Sequence, residues 1–155
     1  MNLVDRVKNI LITPKTEWEV IKNEQSSTAD LFTKFAMILA IIPVLATFIG
    51  QSVIGISLGP FGSYKIPITN GLIYAVIYYI LSLGGVYLVA FIIDALAPSF
   101  GSTKNMDASL KVAVYSYTAA WIAGIFGAIP VLAILGIAGL YSLYLMYLGL
   151  KIVKD

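Results

Sequence analysis

The chain has 155 residues, of which 59% are hydrophobic and only 12% are charged. A soluble domain carries about 25% charged residues, so this composition excludes an ordinary soluble protein. The net charge of +2 is too small to indicate nucleic-acid binding, and the absence of cysteine and histidine excludes disulfides, thiol nucleophiles and most transition-metal sites.

The charges are also segregated along the chain. Residues 35–64, 66–93 and 112–150 contain no charged side chain. Each stretch is longer than the roughly 20 apolar residues that a helix needs to cross the hydrocarbon core of a bilayer. The sequence therefore predicts an all-α integral membrane protein, with a membrane domain over residues 31–155 preceded by an N-terminal segment over residues 1–30.

This N-terminal segment is predicted to be amphipathic and cytoplasmic. Its apolar residues recur at helical spacing, and tryptophan is enriched at the membrane–water boundary. Thr13-Pro14 breaks the first helix, and a second is predicted from Thr16, because Thr16-x-x-Glu19 has the form of a capping box. The segment either lies on the bilayer or packs on the protein's own loops. The candidate interfacial anchors are Leu3, Val7, Ile10, Leu11, Trp18 and Ile21.

Two membrane spans are predicted next. Span one covers about residues 31–57, and Pro43 is a candidate kink within it. The turn-rich stretch "LGPFGSYKIPITN" connects it to span two, at about residues 71–97.

The third charge-free stretch must fold back on itself. Its 39 residues would form a helix about 58 Å long, nearly twice the hydrocarbon thickness. The sequence "GAIP" marks the break, because Gly and Pro are strong punctuators. Spans three and four are therefore predicted at about residues 109–128 and 131–150.

Lysine and arginine set the predicted orientation. With four spans, nine of these residues fall on the side of both termini and only Lys65 falls on the other side. We therefore expect the protein to be integral to the cytoplasmic (inner) membrane, with both termini in the cytoplasm.

Asp94 is the one acidic residue inside an apolar segment. It is either a boundary residue, with Lys104 and Lys111 as possible partners, or a group that handles protons or ions, since intramembrane acids are functional candidates. The abundant tyrosines are either interfacial anchors or part of a polar path. The candidate intramembrane polar site consists of Asp94, Tyr115, Tyr117, Thr118 and Trp121.

Span three carries two ridges of small residues at four-residue spacing. Small residues let helix backbones approach closely in lipid. The ridges serve either the internal bundle or a second copy of the chain. The predicted helix-packing residues are Ala119, Ala120, Ala123, Gly124, Gly127 and Ala128.

Four stretches together carry a family resemblance: "NILITPKTEWEVIKNE", "LAPSFGSTKN", "VAVYSYTAAWIAGIFGAIP" and "GIAGLYSLYLMYLGL". In this order and spacing the chain resembles the YIP family, the Ypt/Rab-interacting polytopic membrane proteins, and in particular its short prokaryotic members. The resemblance implies an all-α membrane domain without known catalytic residues. Eukaryotic members of the family bind small GTPases and act in vesicle traffic, and they carry a longer soluble N-terminal region that this chain is expected to lack. Members usually have five spans, so a fifth span is either missing from this chain or absent from this member.

These observations predict a non-enzymatic membrane scaffold or adaptor that needs no cofactor and no metal. Its expected partners are the lipid bilayer and either another membrane protein or a second copy of itself, and not nucleic acid. The alternative is a small transporter or channel subunit that uses Asp94 and the neighbouring tyrosines.

Overall fold

The computed structural model describes residues 2–57 and 59–154, which form helices joined by short connections and one small hairpin. In chain order the α-helices are α1 (Leu3–Ile12), α2 (Pro14–Asn23), α3 (Thr28–Leu31), α4 (Met37–Phe48), α5 (Ile68–Leu96), α6 (Met106–Ser116), α7 (Thr118–Ala123) and α8 (Tyr141–Val153). Two π-helical stretches, Phe32–Ala36 and Ile49–Ile54, flank α4. The 3-10 helices are Gly59–Phe61, Ala97–Phe100, Gly124–Ala128 and Pro130–Leu140.

The two N-terminal helices meet at the predicted break. The side chain of Asn2 caps α1 by accepting from the Asp5 N–H at 2.8 Å. Pro14 stands at the start of α2, where its missing N–H costs nothing. The predicted start at Thr16 was therefore wrong by two residues, and the N-cap of α2 makes no side-chain hydrogen bond.

Three helical segments are long and apolar enough to cross a membrane: segment one (Thr28–Ile54), segment two (Ile68–Phe100) and segment four (Pro130–Val153). Segment three, residues 106–128, turns at Tyr117 and passes into a 3-10 helix at Gly124. The all-helical membrane architecture agrees with the sequence, and the number of four spans stays a prediction.

Segment three lies at the centre of the bundle. It packs against segments one, two and four, and residues 109–116 are all buried. In contrast, only 11% of the most apolar window is buried in each of segments two and four. Apolar side chains therefore cover the outer faces of these two segments, as expected for surfaces that contact lipid.

The connection between segments one and two contains the hairpin, which the sequence analysis treated only as turns. Strand β1 (Ile56–Ser57) pairs antiparallel with β2 (Ser63–Tyr64). Lys65 folds back so that its Nζ donates to the Val53 carbonyl at 2.6 Å, at the end of segment one.

The sequence also predicted a kink at Pro43 and a break at "GAIP". Pro43 lies inside α4 without ending that helix. Between segments three and four the backbone of Ile129 is extended, and the next helix starts at Pro130, so the chain reverses at the predicted place.

Candidate functional site

Charged and polar side chains gather where α2 packs on α8 and where the connection after α5 meets the end of α8. We call this region, residues 2–27, 94–109 and 151–154, the charged cap. It holds two separate polar clusters, and each one joins parts of the chain that are distant in sequence.

The first cluster is built around Asp94, near the end of α5. Its carboxylate oxygen Oδ1 accepts a hydrogen bond from the Asn105 backbone N–H at 2.6 Å and from the Ser109 hydroxyl at 3.3 Å. The Lys154 Nζ lies 3.6 Å from the same oxygen. The Asp94 side chain is 18% exposed, so this carboxylate ties α5 to the start of α6 and the end of α8.

Lys154 completes this cluster from the C-terminal end. Its Nζ also donates to the carbonyl of Thr103 at 2.9 Å and to that of Asn105 at 3.4 Å. The Ser102 hydroxyl donates to the Lys154 carbonyl. We call this set the latch; its members are Asp94, Ser102, Asn105, Ser109 and Lys154.

The two predicted partners of Asp94 have other environments among the described residues. Lys111 is buried, and its Nζ donates to the Ile21 carbonyl at 3.1 Å and to the Glu24 carbonyl. Lys104 is exposed and makes no ion pair with Asp94. Because a cation is favourable beside the last carbonyls of a helix, Lys111 fastens the end of α2 to segment three.

The second cluster centres on Arg6, which the sequence analysis did not select. The Arg6 Nη1 donates to the Glu17 carboxylate at 2.6 Å, and both side chains are 5% exposed. The Arg6 Nη2 pairs with Glu24. The guanidinium also lies over the ring of Tyr115, 5.4 Å from its centre. We call Arg6, Glu17 and Glu24 the arginine cluster.

A cavity of about 400 Å³ borders the arginine cluster. Asp30 and Lys34 also line it, and they pair with each other at 2.5 Å. The charged groups around this cavity are therefore already matched by opposite charges.

Three of the predicted lipid anchors pack inside the protein instead. Ile10, Trp18 and Ile21 have no exposed surface. The Trp18 ring contacts Gly149 so closely that a Cβ atom there would lie 2.7 Å from it, and it meets the Tyr115 ring edge-on with 6.3 Å between centres. The structure therefore places these three side chains in the protein core, and their role as interfacial anchors stays a prediction.

The remaining predicted anchors, Leu3, Val7 and Leu11, are partly buried against the same core. The exposed apolar side chains of α1 and α2 are different ones. Val4, Ile12 and Val20 are 72%, 68% and 47% exposed, so α1 and α2 do expose apolar side chains, but none of these is among the predicted anchors.

The predicted intramembrane polar residues lie in separate environments. Tyr115 faces the cap, where its ring contacts that of Phe35 at 4.7 Å between centres. The Tyr117 and Trp121 rings lie 5.8 Å apart and border a cavity of about 250 Å³. Thr118 is fully buried, and its hydroxyl has no hydrogen-bond partner among the described residues. The structure therefore does not join Asp94 to the other four in one site.

The small residues of segment three contact neighbouring segments of the same chain. A Cβ atom on Gly124 would lie 2.5 Å from the Pro43 Cβ in segment one. A Cβ atom on Gly139 of segment four would lie 3.2 Å from the Ala120 Cα and 3.7 Å from the Ala123 Cβ. These close approaches favour the use of the ridges within the bundle.

The other predicted packing residues, Ala119, Gly127 and Ala128, also lie inside the bundle. A Cβ atom on Gly50 would lie 2.1 Å from the Gly127 carbonyl oxygen and 3.3 Å from that of Ala128. Ala119 is buried. Segments one and three therefore cross at glycines.

Comparison with known proteins places this bundle and its cap in one family. A family model for the Yip1 domain matches residues 8–155. The chain belongs to the Yip1 family. This match confirms the resemblance carried by the four sequence stretches, and it extends from α1 through segment four.

Two relatives of this Yip1 chain are each named inner membrane protein YohC, one from Escherichia coli strain K12 and one from Escherichia coli O6:H1. Each is 28% identical over 117 residues, which is 76% of this chain and 60% of the relative. The Yip1 chain thus aligns with less than two thirds of the length of these relatives. No solved structure matches it.

One signal in the Yip1 sequence could have revealed the arginine cluster. Arg6 and Glu17 carry opposite charges, and each stands four residues before an isoleucine that is fully buried, Ile10 and Ile21 respectively. Residues four apart share a helix face, so both charges lie on the faces that dock. Lys154 had no comparable signal, because a lysine near a chain end is ordinarily solvated.

Proposed function

We propose that this Yip1-family protein is a non-enzymatic scaffold or adaptor of the cytoplasmic (inner) membrane, with the charged cap and both termini on the cytoplasmic side. The E. coli relatives are named inner membrane proteins, and the lysine and arginine distribution favours this orientation. Its partners would be lipid and either another membrane protein or a second copy of the chain.

The latch is the observation that carries this proposal. Asp94 accepts from Asn105 and Ser109 and pairs with Lys154, so its carboxylate is used to hold three segment ends together. A transport role would instead require this acid to face a water-filled space shared with other polar groups. Asp94 lines neither the cavity at the arginine cluster nor the cavity beside Tyr117 and Trp121.

A small transporter is the second candidate, and one observation favours it. The cavity beside Tyr117 and Trp121 also contains Tyr78 and Ser82, and the Trp121 Nε1 donates to the Ser82 hydroxyl at 3.4 Å. These polar groups lie between segments one, two and three, where a path across the membrane could run.

Asp94→Asn separates the two functions, because it removes the charge and keeps the shape. The amide oxygen can still accept from the Asn105 N–H, and the Lys154 ammonium keeps its hydrogen bonds to the Thr103 and Asn105 carbonyls. We expect parent and variant to purify from native membranes with the same partners. In proteoliposomes with an internal pH dye, both should match empty vesicles. A proton or ion flux in the parent that Asp94→Asn abolishes would contradict the scaffold and support the transporter.

A further inference from the structure

Segments two and four end side by side at the charged cap and leave a groove between them. Both pack on segment three, and the groove has a volume of about 470 Å³. Its walls come from the last turns of α5, the 3-10 helix that follows and the last turns of α8, and they are mostly apolar. The apolar lining includes Leu96, Phe100, Tyr147 and Leu150.

Two lysines stand at the polar end of this groove, and they differ in availability. Lys154 belongs to the latch, and its side chain is 6% exposed. Lys151 is exposed and has no ion pair or hydrogen bond from its side chain within residues 2–57 and 59–154. An ammonium group without a partner among the described residues therefore stands beside an apolar groove, where two membrane segments end.

We propose that this groove binds an anionic phospholipid, with the headgroup phosphate on Lys151 and an acyl chain along Leu96, Phe100 and Leu150. The charge of the phosphate complements the free ammonium group. Basic pockets between membrane helices bind anionic headgroups in this way. Phe100 and Leu96 are 84% and 48% exposed, and an acyl chain would cover this apolar surface without a further protein.

The position of the groove suits a lipid more than a soluble anion. A soluble phosphate would contact the lysine and leave the apolar walls uncovered. A bilayer lipid satisfies both parts, since its phosphate lies at the membrane boundary and its chain runs along the segments. This inference holds for either orientation of the chain and does not depend on a scaffold function.

Native mass spectrometry of the full chain in detergent tests the headgroup contact. Phosphatidylglycerol and phosphatidylcholine with identical acyl chains are added at equal concentration. We expect the parent to retain more phosphatidylglycerol. Lys151→Gln should lower its retention about fivefold, which corresponds to roughly 1 kcal/mol for one lysine at the membrane surface. Lys15→Gln, which removes another exposed lysine of the cap that does not line the groove, should have no such effect.

A second pair of variants tests the apolar wall. Leu96→Trp fills the groove and should reduce retention of both lipids. Leu88→Trp is the matched control, because Leu88 is 57% exposed on the same helix and lies outside the groove. Neither site is buried in the core, so both variants should fold.

Several outcomes would overturn the proposal. Equal retention of the two lipids by the parent would remove the phosphate contact, and equal losses for Lys151→Gln and Lys15→Gln would reduce it to general charge attraction. Displacement of the lipid by inorganic phosphate at equal concentration would show a soluble-anion site. A dimer that Leu96→Trp dissociates would assign the groove to a second copy of the chain.

Discussion

At the scale of single residues, the stability of the cap depends on the buried ion pair of Arg6. Its guanidinium and the Glu17 carboxylate are both almost fully buried. The attraction between them offsets the desolvation free energy that each charge loses on burial. Such a pair adds little net stability against apolar replacements, but the loss of one member leaves an uncompensated charge. The arginine cluster therefore disfavours docking of α1 and α2 when only one of the two charges is present.

The first prediction follows from this asymmetry. Arg6→Met should destabilise the folded protein by about 3–5 kcal/mol, because the Glu17 carboxylate loses its buried partner. The double variant Arg6→Met/Glu17→Met should be more stable than the single one, since no buried charge remains unpaired. Thermal unfolding in detergent measures the loss, and hydrogen exchange over residues 2–25 locates it.

Lys8→Met is the matched control for this series, because Lys8 is exposed on the same helix and should change stability little. A double variant that is no more stable than Arg6→Met would show that the arginine acts by packing or by its contact with Tyr115 rather than by charge.

At the scale of elements, α1 and α2 pack one side against the bundle, and the contact of their other side with lipid stays a prediction. The apolar stripe on these helices was visible in the sequence, but periodicity alone cannot tell whether a stripe faces lipid or protein. Trp18 illustrates the limit: its large apolar ring suits the membrane boundary and suits equally the space opposite Gly149. The contact with α8 depends on residues about 130 positions away, which no local pattern reveals.

The second prediction compares two isoleucines of α1. Ile10 has no exposed surface and Ile12 is 68% exposed. Ile10→Asp should release the cap, because it buries a charge without a partner, and should increase hydrogen exchange over residues 2–25. Ile12→Asp should leave this exchange unchanged.

The same pair tests whether the outer face of the cap contacts lipid. If Val4, Ile12 and Val20 rest on the bilayer, Ile12→Asp should also increase the access of a soluble quencher to these helices in vesicles. Unchanged access would show that the segment is held by protein contacts alone.

The third prediction concerns the crossing of segments one and three. Gly124→Leu forces a side chain against Pro43, where a Cβ atom would already lie at 2.5 Å. Overpacking of this kind costs about 1–3 kcal/mol, and we expect a lower melting temperature in detergent. Gly84→Leu is the control, because a Cβ atom on Gly84 would meet nothing within 4 Å. Equal stability of the two variants would show that the Gly124 ridge does not pack inside the bundle.

At the scale of the whole molecule, the sequence revealed the membrane segments more clearly than the polar clusters. Runs without charge are a local property, so residues 35–64 and 66–93 predicted segments one and two. The latch, by contrast, joins Asp94 to Lys154 across 60 positions, and its geometry exists only after segments three and four have folded back. The residues of the expected intramembrane site lie apart for the same reason. Asp94 and Tyr115 belong to different segments, and the packing of these segments determines which side chains each residue contacts.

The last prediction tests the orientation and the number of spans together. The chain has no cysteine, so single introduced cysteines report alone. Ser63→Cys and Ile129→Cys place the label in the two connections farthest from the cap. Thr103→Cys places it in the cap, at an exposed residue outside the latch. With four spans and cytoplasmic termini, an impermeant thiol reagent should label Ser63→Cys and Ile129→Cys in intact cells, and Thr103→Cys only after permeabilisation.

Each departure from this pattern has a distinct meaning, because one segment separates each label from the next one along the chain. Labelling of both Ser63→Cys and Thr103→Cys in intact cells would show that segment two does not cross the membrane. Labelling of Ser63→Cys without Ile129→Cys would show that segment three does not cross, which would leave fewer than four spans. A fully inverted pattern would place the charged cap outside the cell. That result would contradict the lysine and arginine rule for this chain, while the latch and the bundle would stay as described.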